Sequence, residues 1–463
     1  MKLHFHLSIL FLSLLTKIVS QEDKILFAYQ INRHGARAPF HGVKDGIDAY
    51  KEKWDQVQEL SPVGKRMLYL LGVKARKRYM EDNKLLKEEY DPQEILIRST
   101  DSNRTIESIQ CYLQGLYKNS TGPVLKEKIR NNTNITYPPN VRYQDKMAEV
   151  LKQYKLDETN YALPFGMSIE PIHLFYKPLR EFQLYEPGIC KSIKPNYEKQ
   201  IRRQEVLDFG DELYKTFGFL KDLENTKNET FLRDYDVQYK YMDGYICDDI
   251  DRRDFTYLKQ NYNFNETTDK LLKEYSLKYL KMDYFDTNYP KGHYNISIAA
   301  ESYTMHSLVN WMEKAKAAYE KKSDDYLKFV IYSAHDASIG ALEEFMKYAF
   351  GLDPEYATFA ETRFFEFFID GKTNAEKVRY LRGDNTVKLE ITFDEFKKVI
   401  NEKTWTDEKV LDFCTNGEKE EKDDGKVQPK SKITTAEIFA ICFGAADAIL
   451  MIVLIIIFVL KKK

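Results

Sequence analysis

Short apolar runs rich in β-branched and aromatic residues recur along the chain. They cover residues 25–31, 95–97 and 329–332, and each run is typical of a buried strand. Other segments show helical spacing of apolar positions, which predicts helices that begin near residue 103 and near residue 296. Strands that alternate with helices predict an α/β fold, a mixed sheet flanked by helices.

The middle of the chain follows a different pattern. Residues 123–295 are rich in charged side chains and mostly helical in spacing, and residues 197–223 are the most clearly amphipathic stretch. We therefore expect a mainly helical cap domain, inserted between two parts of the α/β core at residues 21–122 and 296–414. Residues 415–437 are polar and charged and contain Pro429, which predicts a flexible stalk.

Both ends of the chain carry apolar segments. Residues 1–20 combine Lys2, an apolar run over residues 7–15 and the small Ser20, which is the layout of a signal peptide with the mature chain starting near Gln21. Residues 438–460 form a 23-residue, largely apolar run. As a helix this run is about 34 Å long, enough to cross a bilayer core. Lysines 461–463 would then be a short cytosolic tail.

The C-terminal run has two other interpretations, a GPI signal and a buried core helix. The terminal lysines favour a stop-transfer transmembrane helix, although Asp447 inside the run costs roughly 2.5–3.5 kcal/mol on insertion scales. Together with the signal peptide, this predicts a single-pass type I protein. Its folded part would be lumenal or extracellular, in the lysosome, in another secretory compartment or at the cell surface.

The 463 residues include 70 basic and 72 acidic side chains, so the overall charge favours neither nucleic acid nor an anionic membrane surface as a partner. Recognition of an anion must therefore be local. Acceptor sequons for N-glycosylation, which suit a secretory compartment, occur at Asn103, Asn119, Asn131, Asn134, Asn228, Asn265 and Asn295. Four cysteines outside the apolar tail allow two disulfides with three connectivities, or some free core thiols: Cys111, Cys190, Cys247 and Cys414.

The most informative stretch, residues 33–39, reads RHGARAP and follows directly on the first predicted strand. Loops at the carboxyl ends of strands in α/β sheets are frequent ligand sites. Arg33 and Arg37 offer forked cations that match phosphate oxygens in pairs. His34 can attack phosphorus with a neutral ring nitrogen if an acceptor holds the other nitrogen, which would make a phosphohistidine. The alternative is a basic surface turn with an incidental histidine.

Two further strand ends carry related chemistry. The second predicted strand ends in Arg98 and is followed by Ser-Thr-Asp, and the third ends in Ser-Ala-His335-Asp336. Three strand ends thus deliver three arginines, two histidines and one carboxylic acid. This combination favours a phosphate site over the basic surface turn.

In this order, RHGxRxP, IRSTDxxRT and YSAHD resemble the histidine acid phosphatase family, in particular its prostatic and lysosomal branch. Residues 60–79 are similar to the family's first crossover helix, and residues 354–362 to the segment after its His-Asp pair. The resemblance covers residues 25–122 and 296–414 well and is thin between them, where residues 171–190 are the most similar segment. It implies a phosphoric monoester hydrolase and allows a homodimer.

The resemblance also implies a role for each matched residue. His34 would be the nucleophile and Asp336 the proton donor. The phosphate ligands would be Arg33, Arg37, Arg98 and His335. Because Asp336 must be protonated to release the alcohol, we expect activity at acidic pH. No metal or other cofactor is expected, because the chain has no zinc-type Cys/His spacing and the acidic residues 247–251 are interpreted as a solvated loop.

Three functional classes remain open. The first is a membrane-anchored acid phosphatase of broad ester specificity, favoured because every matched catalytic position holds the expected residue type. The second is a narrower phosphatase of the same superfamily, acting on inositol phosphates or lysophosphatidic acid. The third is an inactive cell-surface binding ectodomain. Structural or surface roles are expected for the other histidines of the mature chain, which are His41, His173, His293 and His306.

Overall fold

The computed structural model describes residues 22–39, 58–130, 160–174, 190, 192, 204–217, 243–247, 249–251, 260, 265–284 and 294–416. Its centre is a mixed sheet of seven strands. The strands are β1 (Lys24–Arg33), β2 (Ile95–Ser99), β3 (His173–Leu174), β4 (Phe329–Ala334), β5 (Thr362–Ile369), β6 (Glu376–Arg382) and β7 (Val387–Thr392). In space they follow the order β3-β2-β4-β1-β5-β6-β7.

The sheet has a parallel half and an antiparallel half. Strand β4 pairs in parallel with both β1 and β2, and β2 pairs in parallel with β3. Strand β5 runs antiparallel to β1, and β6 and β7 continue in antiparallel fashion. Because β1, β2 and β4 point the same way, their carboxyl ends lie together at one end of the sheet.

Helices cover both faces of the sheet. The α-helices with described bounds are α1 (Pro62–Arg76), α2 (Asn103–Leu116), α3 (Glu127–Arg130), α4 (Gln204–Thr216), α5 (Glu266–Tyr284), α6 (Asn295–Glu320), α7 (Asp336–Phe350), α8 (Phe393–Lys403) and α9 (Asp407–Asn416). Helices α1 and α2 pack on one face, and α6, α7 and α8 pack on the other. A π-helical turn, Lys77–Asp82, continues α1. The predicted α/β class, a mixed sheet flanked by helices, is confirmed.

Strand β1 forms where the apolar run predicts it. Every residue from Ile25 to Arg33 is buried. Tyr29 and Ile31 contact the layer of α6 and α7, whereas Ala28 contacts the layer of α1 and α2. A central parallel strand is covered on both faces, which explains its continuous apolar run. The other predicted strands are β2 and β4, and the predicted helices are α2 and α6.

A close approach of two backbones holds the loop after β1 against the start of α1. Ser61 caps α1, because its hydroxyl accepts a hydrogen bond from the N–H of Gly64, and Pro62 occupies the first turn. A Cβ added to Gly35 would lie 2.4 Å from the carbonyl oxygen of Gly64, and one added to Gly64 would lie 2.0 Å from that of Ala36. Both positions therefore require glycine.

One disulfide forms between described cysteines. Cys190 of the insertion is bonded to Cys414 of α9, 224 residues away in sequence. Cys111 and Cys247 form no disulfide, so only one of the two disulfides that the sequence allows is present among the described residues. Cys111 packs against the cluster under α1 and α2, whereas Cys247 is buried against Ala36. These thiols lie in different clusters, which explains why they do not pair.

Several predictions fall on residues outside the described ranges, namely the signal peptide at 1–20, the stalk at 415–437 apart from its first two residues, the transmembrane helix at 438–460 and the tail at 461–463. Those two residues, Thr415 and Asn416, are the last residues of α9 and are therefore helical, not part of a flexible stalk as predicted. Among the described residues, no helix is both long enough and apolar enough to cross a membrane. The insertion contains α4 and α5, and α4 lies inside the predicted amphipathic stretch. The boundaries of a separate cap domain stay a prediction, and residues Met1–Glu418 group as one compact unit.

Candidate active site

Two histidines lie side by side at the carboxyl ends of β1 and β4. The register of these parallel strands pairs Arg33 with Ala334, so the next residues, His34 and His335, leave the sheet together. The backbone N–H of His34 donates to the carbonyl of Ala334 at 3.0 Å. The centroids of the two imidazole rings are 5.5 Å apart, and the rings meet edge to face. The sheet thus brings together two motifs that are far apart in sequence.

The His34 side chain is buried and oriented by its own loop. Its Nδ1 lies 2.9 Å from the carbonyl oxygen of Gly35. Because a carbonyl only accepts, Nδ1 carries the proton and Nε2 keeps its lone pair. Burial lowers the pKa of His34 well below the usual 6.5, and the charges of Arg33 and Arg37 add to this effect. The ring is therefore neutral at acidic pH, as a nucleophilic nitrogen requires.

Arg33 is fixed by a carboxylate, a carbonyl and two aromatic rings. Its Nη2 lies 2.6 Å from Oδ2 of Asp336. Its Nη1 donates to the hydroxyl of Tyr356 and to the carbonyl of Ala357, both at 2.9 Å. The guanidinium also lies 4.1 Å from the ring centroid of Phe359, a cation–π contact.

Asp336 is the first residue of α7 and is held at several points. Its Oδ1 accepts from the backbone N–H of Ala337 at 2.9 Å, and its Oδ2 accepts from the hydroxyl of Tyr356 at 3.3 Å. Burial acts to raise the pKa of Asp336, but the charges of Arg33 and Arg37 prevail and hold the pKa below the usual 3.8. In this arrangement Asp336 is an ionised carboxylate, so a role as proton donor requires a change of charge around it.

Arg37 faces a carboxylate of the insertion. Its Nη1 and Nη2 donate to Oδ2 and Oδ1 of Asp243 at 3.1 and 2.9 Å, which makes a bidentate pair. Both side chains are buried. The Nη1 also donates to the carbonyl of Ala38 at 2.9 Å. Sequence reasoning did not single out Asp243.

His335 is held at both ring nitrogens. Its Nδ1 lies 3.4 Å from Nη2 of Arg104, and its Nε2 lies 3.0 Å from the hydroxyl of Thr100. A guanidinium only donates, so Nδ1 accepts and Nε2 carries the proton. Burial lowers the pKa of His335 to about 3, with the charge of Arg104 as the next cause. His335 is therefore a second neutral ring at this site.

The two arginines of the second motif have different surroundings. Arg98 on β2 donates from Nη1 to the hydroxyl of Tyr332 at 3.2 Å. Arg104 in the first turn of α2 contacts His335, and its charge adds to burial in lowering the pKa of both His34 and His335. The arginine of this motif that the structure places against His335 is thus Arg104, to which sequence reasoning assigned no role. Arg98 as a phosphate ligand stays a prediction.

An aromatic wall completes the described site. Tyr356 and Phe359 follow α7, and the ring centroid of Phe359 is 5.7 Å from that of His34. Both side chains belong to residues 354–362, which resemble the family's segment after its His-Asp pair, but the sequence alone gives neither ring a role. Their position after the His-Asp motif was the available signal. Asp243 offered no comparable signal, because it lies where the resemblance is thin.

The remaining histidines do not join the site in the described part of the chain. His173 is exposed on β3. The Nε2 of His306 lies 2.7 Å from the hydroxyl of Thr404. His41 and His293 lie outside the described residues.

The interpretation of residues 247–251 as a solvated loop is wrong. Cys247 is buried, and Asp251 accepts a hydrogen bond from the hydroxyl of Ser61 at 3.2 Å. The segment packs on the core because Ile250 and the preceding Ile246 contact the cluster around Ala36. Among the described side chains, no group of three or more His, Cys, Asp or Glu is arranged to hold a metal ion.

Comparison with other proteins shows which known phosphatases the chain resembles. Lysosomal acid phosphatase of Xenopus laevis is 26% identical over 375 residues, which are 79% of this chain and 71% of that protein. Lysophosphatidic acid phosphatase type 6 of Mus musculus is 38% identical over 80 residues, which are 17% of this chain and 19% of that protein.

Solved structures show the same fold. The phytase of Citrobacter braakii is similar with a TM-score of 0.50 at 10% identity, over 83% of this chain and 98% of that one. The phytase of Klebsiella sp ASR1 is similar with a TM-score of 0.50 at 12% identity, over 88% and 100%. The family described as histidine phosphatase superfamily (branch 2) matches residues 24–381, from β1 into β6. The chain therefore belongs to branch 2 of the histidine phosphatase superfamily and is a phosphoric monoester hydrolase.

Proposed function

We propose that this enzyme hydrolyses phosphate monoesters at acidic pH by passing the phosphoryl group through Nε2 of His34. The observation that carries the proposal is the carbonyl of Gly35, 2.9 Å from Nδ1, because it leaves the lone pair on Nε2 of a neutral, buried ring. Nε2 would attack phosphorus in line with the leaving oxygen, and water would then hydrolyse the phosphohistidine.

The guanidiniums would hold the phosphoryl group and stabilise its charge. Arg33, Arg37 and Arg104 each act on His34 by their charge. Guanidiniums match phosphoryl oxygens in pairs, and donors already in place stabilise the transition state without reorganisation. We propose Arg104 as the third guanidinium and neutral His335 as a further ligand. Arg98 is the alternative third arginine.

Asp336 would donate the proton to the leaving alcohol. A phosphate dianion would compete with this carboxylate for Arg33, and its negative charge would raise the pKa of Asp336. After the alcohol leaves, ionised Asp336 would take a proton from the attacking water. Low pH favours the protonated form, which gives an acidic optimum.

The alcohol part of the substrate would contact the insertion, where the resemblance to the family is thin. We therefore propose two substrate ranges, the favoured one first. The first is a broad range of monoesters. The second is lysophosphatidic acid, supported by the 80-residue match to the type 6 lysophosphatidic acid phosphatase. Turnover of a panel that includes aryl, alkyl, inositol and lysophosphatidic esters separates them. No turnover of any ester would favour a binding ectodomain instead.

We also propose that residues 438–460 anchor the enzyme in the membrane with its folded part lumenal or extracellular. The disulfide between Cys190 and Cys414 supports an oxidising compartment, and the Xenopus laevis relative is named as lysosomal. A chain that ends at Glu437 should be secreted and active. The full chain should resist release by alkaline carbonate and by phosphatidylinositol-specific phospholipase. Release by the lipase would instead indicate a GPI anchor.

Acid-quench labelling tests the phosphohistidine. Wild-type enzyme mixed with a ³²P-labelled ester should retain label after quenching in acid and base treatment, whereas His34→Ala should retain none and lose turnover. His306→Ala is the matched control, because His306 contacts Thr404 and should keep both label and turnover. Label that persists in His34→Ala would place the nucleophile elsewhere, with His335 as the next candidate.

A further inference from the structure

The carboxylate of Asp243 already binds the guanidinium of Arg37, which is one of the proposed phosphate ligands. Both terminal nitrogens of Arg37 donate to Asp243, and these side chains are only 3% and 6% exposed. Breaking a buried pair leaves an uncompensated charge, which is strongly unfavourable. We therefore expect Asp243 to remain paired with Arg37 when an oxyanion binds.

The segment that carries Asp243 is attached to the core at further points. Cys247 is buried against Ala36, and Asp251 accepts from the hydroxyl of Ser61 at 3.2 Å. Ser61 is itself the cap of α1. These contacts hold residues 243–251 against the loop that carries His34, so Asp243 is a built component of the site.

The charges around the two histidines are nearly balanced. With Arg104 taken as the third guanidinium, the charged side chains counted at the site are Arg33, Arg37 and Arg104 on the positive side and Asp336 and Asp243 on the negative side. Both histidines are neutral, because burial lowers their pKa values. Three positive and two negative charges leave one positive charge. A phosphate dianion would turn this into one negative charge, and a single added proton would restore neutrality.

We propose that Asp243 has two roles. It positions Arg37, and it offsets the charge of Arg37, so that Asp336 takes up a proton when a phosphate dianion binds. This inference rests on the proposed function, because it specifies how the proton donor becomes charged. Without the carboxylate of Asp243, the three guanidiniums would balance the dianion and ionised Asp336, and no proton would be needed. Buried sites of low polarity strongly disfavour net charge.

Asp336 is the group that would accept this proton. The groups that face it come from several elements: Arg33 from β1, Arg37 from the loop after β1, His335 and the N–H of Ala337 at the start of α7, and Tyr356 from the segment after α7. Tyr356 links the two carboxylates electrostatically. Burial raises the pKa of Tyr356, Arg33 opposes this, and the charges of both Asp336 and Asp243 raise it further.

Proton uptake on binding of sulfate tests the inference without turnover. Sulfate is a tetrahedral dianion that does not titrate in the working range, so any proton taken up belongs to the protein. Calorimetric titration in two buffers of different ionisation enthalpy gives the number of protons per sulfate, measured from about pH 4 to pH 7, the range around the ordinary pKa of a carboxyl group. Wild type should take up a proton, and Asp336→Asn should take up none.

Asp243→Asn should still bind sulfate. Its curve of protons taken up per sulfate against pH should be shifted to lower pH by about one pH unit. Asp243→Glu keeps the charge and should restore the curve towards wild type. Asp249→Asn is the matched control, because it alters a carboxylate of the same segment that pairs with Lys273 at 2.7 Å and does not contact the loop of His34 in the described structure. Its curve should equal that of wild type. Asp243→Ser replaces Asp243→Asn if the latter does not fold, as judged by circular dichroism.

The outcomes separate this inference from the proposed function. An Asp243→Asn curve equal to wild type would overturn the inference, and so would a folded Asp243→Asn that no longer binds sulfate, since Asp243 would then only anchor Arg37. Wild type that takes up a proton but forms no phosphohistidine would support the charge balance and overturn the proposed mechanism. Wild type that takes up no proton while turning over esters would overturn the charge balance alone.

Discussion

Buried ion pairs occur in both halves of the sheet, but only in the parallel half does such a pair lie at the proposed ligand site. In the antiparallel half, fully buried Glu366 of β5 accepts from Arg78 at 2.6 Å, from Tyr79 at 2.8 Å and from Arg379 at 2.7 Å. On the opposite face, Glu343 of α7 is saturated in the same way by Arg363, Tyr380 and Arg382. Burial acts to raise the pKa of each glutamate, but the arginines prevail and lower it below the usual 4.5.

In the parallel half, the pair of Arg33 and Asp336 lies where two strands end, beside two neutral histidines. A phosphate group there would exchange partners with the carboxylate, whereas the glutamate networks lie within the sheet and its packed helices. Burial and charge therefore do not identify a functional arginine. Its position at the carboxyl end of parallel strands, next to a neutral ring with an available lone pair, does.

The sharpest test of this contrast is Asp336→Asn, which keeps the shape of the side chain but removes the transferable proton. Turnover of an alkyl ester should fall by about 10²- to 10⁴-fold, because a poor leaving group needs general acid catalysis. An aryl ester with a good leaving group should lose much less, and the melting temperature should change little. Equal losses on both esters would argue against Asp336 as the proton donor.

Glu366→Ala should have the opposite effect to Asp336→Asn, because it should lower stability and leave turnover unchanged. Loss of this carboxylate leaves Arg78 and Arg379 without their buried partner, so the free energy of unfolding should fall by about 3–5 kcal/mol. Turnover per folded molecule should be unchanged. Urea unfolding and active-site titration measure the two quantities. As a control, Glu355→Ala removes a half-exposed partner of Arg382 and should cost at most about 1 kcal/mol.

A smaller effect distinguishes the two arginines of the second motif. Arg104→Ala should lower kcat/KM by about 100-fold, the typical cost of one charge-stabilising donor. Arg98→Ala should lower it by less than about tenfold, because this side chain donates to Tyr332. Steady-state kinetics on one aryl ester is sufficient. A greater loss in Arg98→Ala would restore the assignment made from the sequence.

The most gradual effect is the dependence of stability on pH. The pKa values of Glu343 and Glu366 are lowered in the folded protein below the usual 4.5, so both glutamates stabilise the fold above that pH. Their contribution is lost as the pH falls through the lowered folded values. The free energy of unfolding should therefore be nearly level from neutral pH down to the mildly acidic range and decline below it. Glu366→Gln should decline less steeply, and an equally steep decline would contradict this account.

The sequence by itself determines the strands and the positions of the two candidate catalytic motifs. Strands β1, β2 and β4 are covered on both faces, so each appears as a continuous apolar run, and the polar residues after them mark where the chain leaves the core. That is why His34, His335 and Asp336 could be identified as candidates together. The parallel pairing of β1 and β4 then makes the two histidines neighbours.

Tertiary structure alone decided which partners these residues have. Asp243 meets Arg37 across 206 positions of sequence, and Cys190 meets Cys414 across 224. The different surroundings of Arg98 and Arg104 also come from the fold, because Arg98 lies on strand β2 and Arg104 lies in the first turn of helix α2. Periodicity along the chain encodes which residues are buried and which way an element runs. It does not encode which distant side chain will satisfy a buried charge, because that choice is made by the packing of whole elements against one another.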